Sequence, residues 1–186
     1  MKWSELCKPK TQGGMGFKDF SLFNDALLAK QTWCLLHDKS SLFYHVLKEK
    51  FFPNTSVMVA KIPANSSYAW KSIMKGRNVI KRGAKWRIGL GRSVHISGEN
   101  WLLNLSHPKV LSPPVKGRGV SLVADLIDPA FKEWKVNVID NLFYDFEAAI
   151  IKNMHLCKNI QDDILIWPFN PDGVYFVKSG YRYLHE

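Results

Sequence analysis

The chain has 186 residues, 46% of them apolar, with seven Trp, eleven Phe and six Tyr, enough hydrophobic material to offset the entropy of ordering and so exclude an intrinsically disordered protein. No apolar run approaches the roughly eighteen residues that cross a bilayer, so no membrane partner is expected. The three Cys, odd in number and far apart, fit reduced thiols inside a cell, nuclear or cytoplasmic, and MKWSELCKPK lacks the apolar stretch of a signal peptide.

The first long element is predicted from Asp19 to Asp38. Leu22, Ala26, Ala29, Trp33 and Leu36 form one helical stripe, Phe20, Phe23, Leu27 and Cys34 its neighbour, and Ser21, Asp25 and Thr32 a narrow polar strip. Ser40 or Ser41 caps a second helix that Pro53 stops, with Phe43, Val46 and Leu47 facing inward. Ser66 or Ser67 caps a third, with Trp70, Ile73 and Met74 on one side and Lys71, Lys75 and Arg82 on another, provided Gly76 does not end it. From Lys85 the period changes to two. Trp86 and Ile88, then Val94 and Ile96, alternate around GLGR as a short β-hairpin.

Residues 106–120, rich in Pro and Gly, read as a linker between a region 1–105 and an acidic region 121–186. Beyond the linker, helical patterns cover about 121–127 and 136–151, the second holding Ile139, Leu142, Phe143, Phe146 and Ile150. ILIWPF and VYFV flank the turn NPDG as a second hairpin. The expected fold class is α+β, mostly helical, with an N-terminal helical cluster and C-terminal helices. Trp3, Trp33, Trp101, Trp134 and Trp167 are expected core anchors, and Trp70 with them.

Charge is distributed unevenly. Residues 50–98 hold ten Lys or Arg and no Asp or Glu, whereas 121–186 holds ten acidic and six basic residues. Lys71, Lys75, Arg77, Lys81, Arg82, Lys85, Arg87 and Arg92 lie among aromatic rings, of which Trp86 and His95 are the candidates for stacking. A polyphosphate releases counterions when cations neutralise it, and ring faces stack bases, so RNA or DNA, held by its backbone without sequence choice, is the expected partner. A solvated face that only keeps the protein soluble is the alternative.

In order along the chain stand Trp3, Leu6, Cys7, Pro9, Lys10, GGMGF from Gly13, Phe23, Asn24, Ala26, Leu28, Ala29, Lys30, Gln31 and Trp33. Tyr68, Trp70, Ile73, WRIGLG from Trp86, Trp101, Leu102, Trp167, Gly173, Val177, Lys178, Ser179, Gly180 and Tyr181 follow. This series closely resembles a segment of plant non-LTR (LINE-type) retrotransposon polyproteins. That segment lies after the reverse-transcriptase palm and before the zinc-binding module and RNase H domain. The resemblance covers Trp3 to about Tyr183. It departs from the family at the central hairpin, where Leu90, Ser97 and Glu99 stand in the Asn, Trp and Asp places.

The resemblance implies a non-catalytic connection segment that meets template or primer-template, surviving as a truncated retroelement-derived protein. Neighbouring reverse-transcriptase domains are further expected partners. The alternative is a structural connector or interaction module that binds no nucleic acid alone, and a third reading is an RNA-directed DNA polymerase by descent. The family's aromatic-x-Asp-Asp polymerase hairpin is absent from the sequence, and Asp162–Asp163 reads as turn-stabilising. His155 and Cys157 have no second ligand pair beside them in sequence. No catalytic residue, metal or cofactor is therefore expected.

Overall fold

A computed structural model describes residues 2–8, 10–104, 107–113, 120–156 and 161–185. Its helices are α1 (Trp3–Cys7), α2 (Phe20–His37), α3 (Leu42–Phe51), α4 (Tyr68–Gly83), α5 (Val136–Leu142), α6 (Asp145–Lys152) and α7 (Val177–His185). Its strands are β1 (Lys85–Arg87), β2 (Ile127–Asp128), β3 (Glu133–Trp134) and β4 (Ile164–Ile166). The fold is α+β and mostly helical.

Residue contacts divide the chain into one unit of Met1–Gly83 with Phe169–Glu186 and another of Ala84–Pro168. The division departs from the expected 1–105 and 121–186, because the C-terminal helix returns to the N-terminal helices. Of the expected linker, 107–113 packs within the second unit, where the Pro108 carbonyl accepts the N–H groups of Trp101 and Leu102, each at 3.0 Å. Residues 106 and 114–119 lie outside the described residues.

In the first unit the capping residues behave as their chemistry dictates. The Asp19 carboxylate accepts the N–H groups of Ser21 and Leu22 (2.8 and 3.2 Å), the Ser41 hydroxyl that of Tyr44 (3.2 Å) and the Ser67 hydroxyl that of Trp70 (3.3 Å). Gly76 does not end α4; it lets α4 approach α2 so closely that a Cβ there would strike the backbone of Leu28 and Ala29. Thr32, expected on the polar strip, is instead buried, and its hydroxyl donates to the Ile73 carbonyl at 3.0 Å, joining the same two helices.

The core of this unit includes Leu35, Phe52, Val57, Trp70, Ile73 and Met74, with the Trp70 ring stacked on Phe51 and Phe52 at 4.5 and 5.7 Å. α7 is tied to α2 by Tyr175, a buried phenol that donates to the Ala26 carbonyl at 3.0 Å and whose pKa burial raises far above the ordinary value. Gly180 faces the Tyr175 ring at a distance no side chain could share. Trp3, an expected core anchor, is 45% exposed and stacks on Phe17 and Phe20 instead.

The second unit gathers Val94, Trp101, Leu102, Val123, Leu126, Ile139 and Ile151 into its core. Trp167 is buried, and Trp134 is half-buried. Neither expected hairpin forms. β1 pairs antiparallel with β4, matching Lys85 with Ile166, Trp86 with Leu165 and Arg87 with Ile164, while His95 makes a single bridge to Leu122. The NPDG turn is present, with Gly173 at φ 72° and its N–H on the Asn170 carbonyl at 3.0 Å, but the chain beyond it leads into α7.

The expected 121–127 helix is a 3-10 turn at Val123–Leu126, and the 136–151 helix breaks into α5 and α6. At the break the Tyr144 N–H turns to the Ser112 hydroxyl at 2.9 Å, and that hydroxyl in turn donates to the buried Glu147 carboxylate. The same carboxylate accepts the N–H groups of Leu111 and Ser112 at 2.6 and 3.1 Å, so its charge is met wholly by donors. Phe146, expected inside, is 51% exposed because the break rotates α6 relative to one continuous helix.

Candidate nucleic-acid interface

The two units differ sharply in charge. The first contains sixteen Lys or Arg against seven Asp or Glu, and the second ten against nine. Nearly all the excess positive charge therefore belongs to the first unit, including Lys178 and Arg182 of α7, which the sequence alone assigns to an acidic region.

Within that unit α4 is the most cationic element, with Lys71, Lys75, Arg77, Lys81 and Arg82 and no acid among its sixteen residues. Its sequence forces two faces. Trp70, Ile73, Met74, Gly76, Val79 and Ile80 are buried, while Tyr68, Lys71, Lys75, Asn78, Lys81 and Arg82 are exposed. Tyr68, Lys71, Lys75, Asn78 and Arg82 recur at helical spacing and share one stripe.

The cations of the unit are not equivalent. The Lys71 ammonium donates to the Ala64 carbonyl at 3.2 Å. Lys75 is ion-paired with Asp25 of α2 at 2.8 Å, and hydrogen bonding to that carboxylate raises its pKa. Arg77 turns inward, its Nη1 donating to the carbonyls of Val57, Met58 and Ala60 at 3.2, 3.5 and 2.6 Å, and burial lowers its pKa. This guanidinium staples the loop between α3 and α4, and the expectation that it meets phosphate is corrected: it is turned inward, with Nη1 committed to these carbonyls.

Lys85 needs the same correction. It is 8% exposed, donates to the Asn104 carbonyl at 2.9 Å, and has a pKa that burial lowers. Both residues have the long apolar stem and polar tip that sequence patterning reads as surface, yet each closes a local loop.

Arg87, Arg92 and His95 are exposed, but they belong to the second, nearly balanced unit. Trp86 is half-buried on β1 and its indole N–H donates to Glu99 at 3.0 Å, which commits one edge of the ring that was a stacking candidate. The GLGR segment after it is organised by Asp163. One carboxylate oxygen accepts the N–H groups of Gly89 and Gly91 and the other that of Ser93, all at 2.8 Å. Gly91 holds φ at 71°, and a side chain at Gly89 would strike the Gln161 carbonyl.

Tyr68, one of the rings interleaved with the cations, stands on the α4 stripe, and Asp163, expected to stabilise a turn, holds the GLGR segment. Asp25 escaped the sequence reading of the site, because it acts on a partner far away in sequence and no local signal marks it. Among the described residues no cluster of three His, Cys, Asp or Glu is placed to hold a metal, and Cys157, of the His155 pair, lies outside them. No helix among them is long and apolar enough to cross a membrane.

The uncharacterized mitochondrial protein AtMg00310 of Arabidopsis thaliana is 38% identical over 103 residues, which cover 55% of this chain and 67% of that protein. The chain belongs to its family. A second relative, the Arabidopsis thaliana protein named Putative ribonuclease H protein At1g65750, is 30% identical over 198 aligned positions. That alignment takes in 99% of this chain but 30% of the relative, so the chain corresponds to under a third of the longer protein. Both matches are consistent with a plant retroelement-derived protein. No family model matches the chain, and no solved structure matches it.

Proposed function

We propose that the first unit binds RNA or DNA through its backbone, and that the chain serves as a non-catalytic connection segment of a LINE-type reverse-transcriptase polyprotein. The observation that carries this reading is the concentration of sixteen cations against seven acids in one unit, with an acid-free helix presenting Lys71, Lys75, Lys81 and Arg82. A field of one sign draws a polyanion by counterion release and asks nothing of its sequence. The chain's share of the longer relative, and that relative's name, support a role as one segment of a larger nucleic-acid enzyme.

A salt titration of labelled single strand and duplex against the purified chain tests the reading. With about five cations engaged, log K falls against log salt with a slope near −3.5 for a single strand and near −4.5 for duplex. A slope shallower than about −1 would sink it. Reversing Lys71, Lys75, Lys81 and Arg82 to Glu should abolish binding while far-UV circular dichroism stays unchanged.

A second reading, a structural connector that docks neighbouring polyprotein domains, draws on the exposed aromatic group Trp3, Phe17 and Phe20, which are 45%, 44% and 67% accessible. Under it the quadruple reversal leaves nucleic-acid affinity where it was. We further propose that the chain itself extends no primer. Asp163, the better placed of the two adjacent carboxylates, already serves three backbone donors. Primer extension with Mg²⁺ or Mn²⁺ tests that directly.

A further inference from the structure

We infer that the α4 stripe takes a single strand rather than a duplex, with Tyr68 as the platform for an unpaired base and Lys71, Lys75 and Arg82 following the phosphates. This rests on the reading of the first unit as a nucleic-acid surface and adds to it the form of the ligand.

Tyr68 is 86% exposed, above every other large hydrophobic side chain among the described residues. The core has no use for it, because α4 buries Trp70, Ile73 and Met74 on the far side. Along the helix Lys71 follows Tyr68 by about 4.5 Å, Lys75 follows Lys71 by about 6 Å, and Arg82 lies about 21 Å from the ring, at 1.5 Å per residue. A solvent-facing ring at the head of a cation row has two complementary surfaces to offer, a π face and a line of charge.

A duplex can use only the second, since its bases are stacked on one another inside. A single strand uses both, because its splayed bases offer π faces at no cost in base pairing. Asn78, between Lys75 and Arg82 on the same stripe, adds an amide that can donate to phosphate or ribose oxygen without adding charge. Stacking is tolerant of base identity, so the inference assigns no sequence preference.

The test compares wild type, Tyr68→Ala, Tyr68→Phe and Lys71→Glu/Lys75→Glu by fluorescence anisotropy. The probes are a uridine 12-mer, a thymidine 12-mer, an abasic deoxyribose-phosphate 12-mer and a 12-base-pair duplex. Tyr68→Ala should weaken both base-bearing strands about ten- to hundredfold and leave the abasic strand and the duplex unchanged, with Tyr68→Phe close to wild type. The lysine reversal should weaken every probe. Equal loss on duplex and single strand, or no loss with Tyr68→Ala while the lysine reversal still acts, overturns the stacking assignment and leaves the backbone reading intact. Failure of wild type to bind any probe overturns both. The uridine and thymidine arms compare RNA with DNA, which differ here in the 2′ hydroxyl and in the base methyl.

Discussion

Replacing Asp163 by Ala removes one carboxylate that accepts three backbone N–H groups, from Gly89, Gly91 and Ser93, each at 2.8 Å. Hydrogen bonds to a charged acceptor contribute about 1.5–3 kcal/mol each when buried. Ser93 is exposed, so water replaces its bond at little cost, whereas Gly91 is buried and Gly89 half-buried. The expected loss is therefore about 3 kcal/mol, the contribution of roughly two such bonds. At about 1.4 kcal/mol per factor of ten, hydrogen exchange at the Gly89 and Gly91 amides should speed up about a hundredfold if their protection comes from local opening.

Exchange mass spectrometry on a peptide spanning 88–94 reads this directly. Asp162→Ala is the internal control, since that side chain makes no hydrogen bond among the described residues, and it should leave exchange within twofold. Equal protection in wild type and Asp163→Ala, or an equal effect of the two substitutions, would refute the assignment of this loop to Asp163.

Gly76→Ala should destabilise the first unit by more than about 2 kcal/mol despite the better helix propensity of Ala, because the added methyl meets the Leu28 and Ala29 backbone; a raised denaturation midpoint would contradict the packing of α2 on α4. Asp125 accepts the N–H groups of Leu122 and Ser121, which hold its pKa below the ordinary 3.8, so between that folded value and 3.8 the unfolded chain binds more protons. Its contribution is full above that window and disappears as pH falls through the folded value. The stability gap between wild type and Asp125→Asn should therefore narrow on acidification, as urea midpoints from pH 6 to 2 would show. Asp25→Asn removes the carboxylate that competes with phosphate for the Lys75 ammonium at 2.8 Å, which should tighten single-strand binding by up to about fivefold at 0.1 M salt, the worth of one full phosphate contact. Unchanged affinity would mean that Lys75 does not meet the ligand.

The helices were legible because their signals are local. Asp19, Ser41 and Ser67 cap helices at the positions their side chains favour, and Trp70, Ile73 and Met74 fall on the inward side that a 3.6-residue period demands. The strands were half legible. Alternation marks Lys85–Arg87 and Ile164–Ile166 as extended, but it cannot name a partner, and these two pair with each other across a stretch that contains most of the second unit. Turn residues misled for the same reason. GLGR has the glycines of a hairpin, yet its amides are collected by a carboxylate some seventy positions later, so the backbone never folds back on itself.

The cations show a subtler failure. Arg77 and Lys85 are indistinguishable by type and spacing from their exposed neighbours, and only the three-dimensional loop closures tell them apart. Counting charge along the chain also drew the boundary in the wrong place, because α7 carries Lys178 and Arg182 back to the helices that precede residue 84.

That return has a consequence for how the positive field is built. Tyr175 locks α7 to α2 through the Ala26 carbonyl, and Tyr181 accepts the Asp19 N–H at 2.9 Å, so the last residues of the chain are held against the first helices by buried or half-buried bonds. Gly180 is the position on which this depends, since any side chain there would occupy the Tyr175 ring's space. Substituting it should therefore release α7 and its two cations together. Lys178 and Arg182 thus join the first unit only through tertiary packing, and because residues 169–186 also carry Asp172 and Glu186, deleting them would remove these two cations while leaving the unit's formal net charge unchanged.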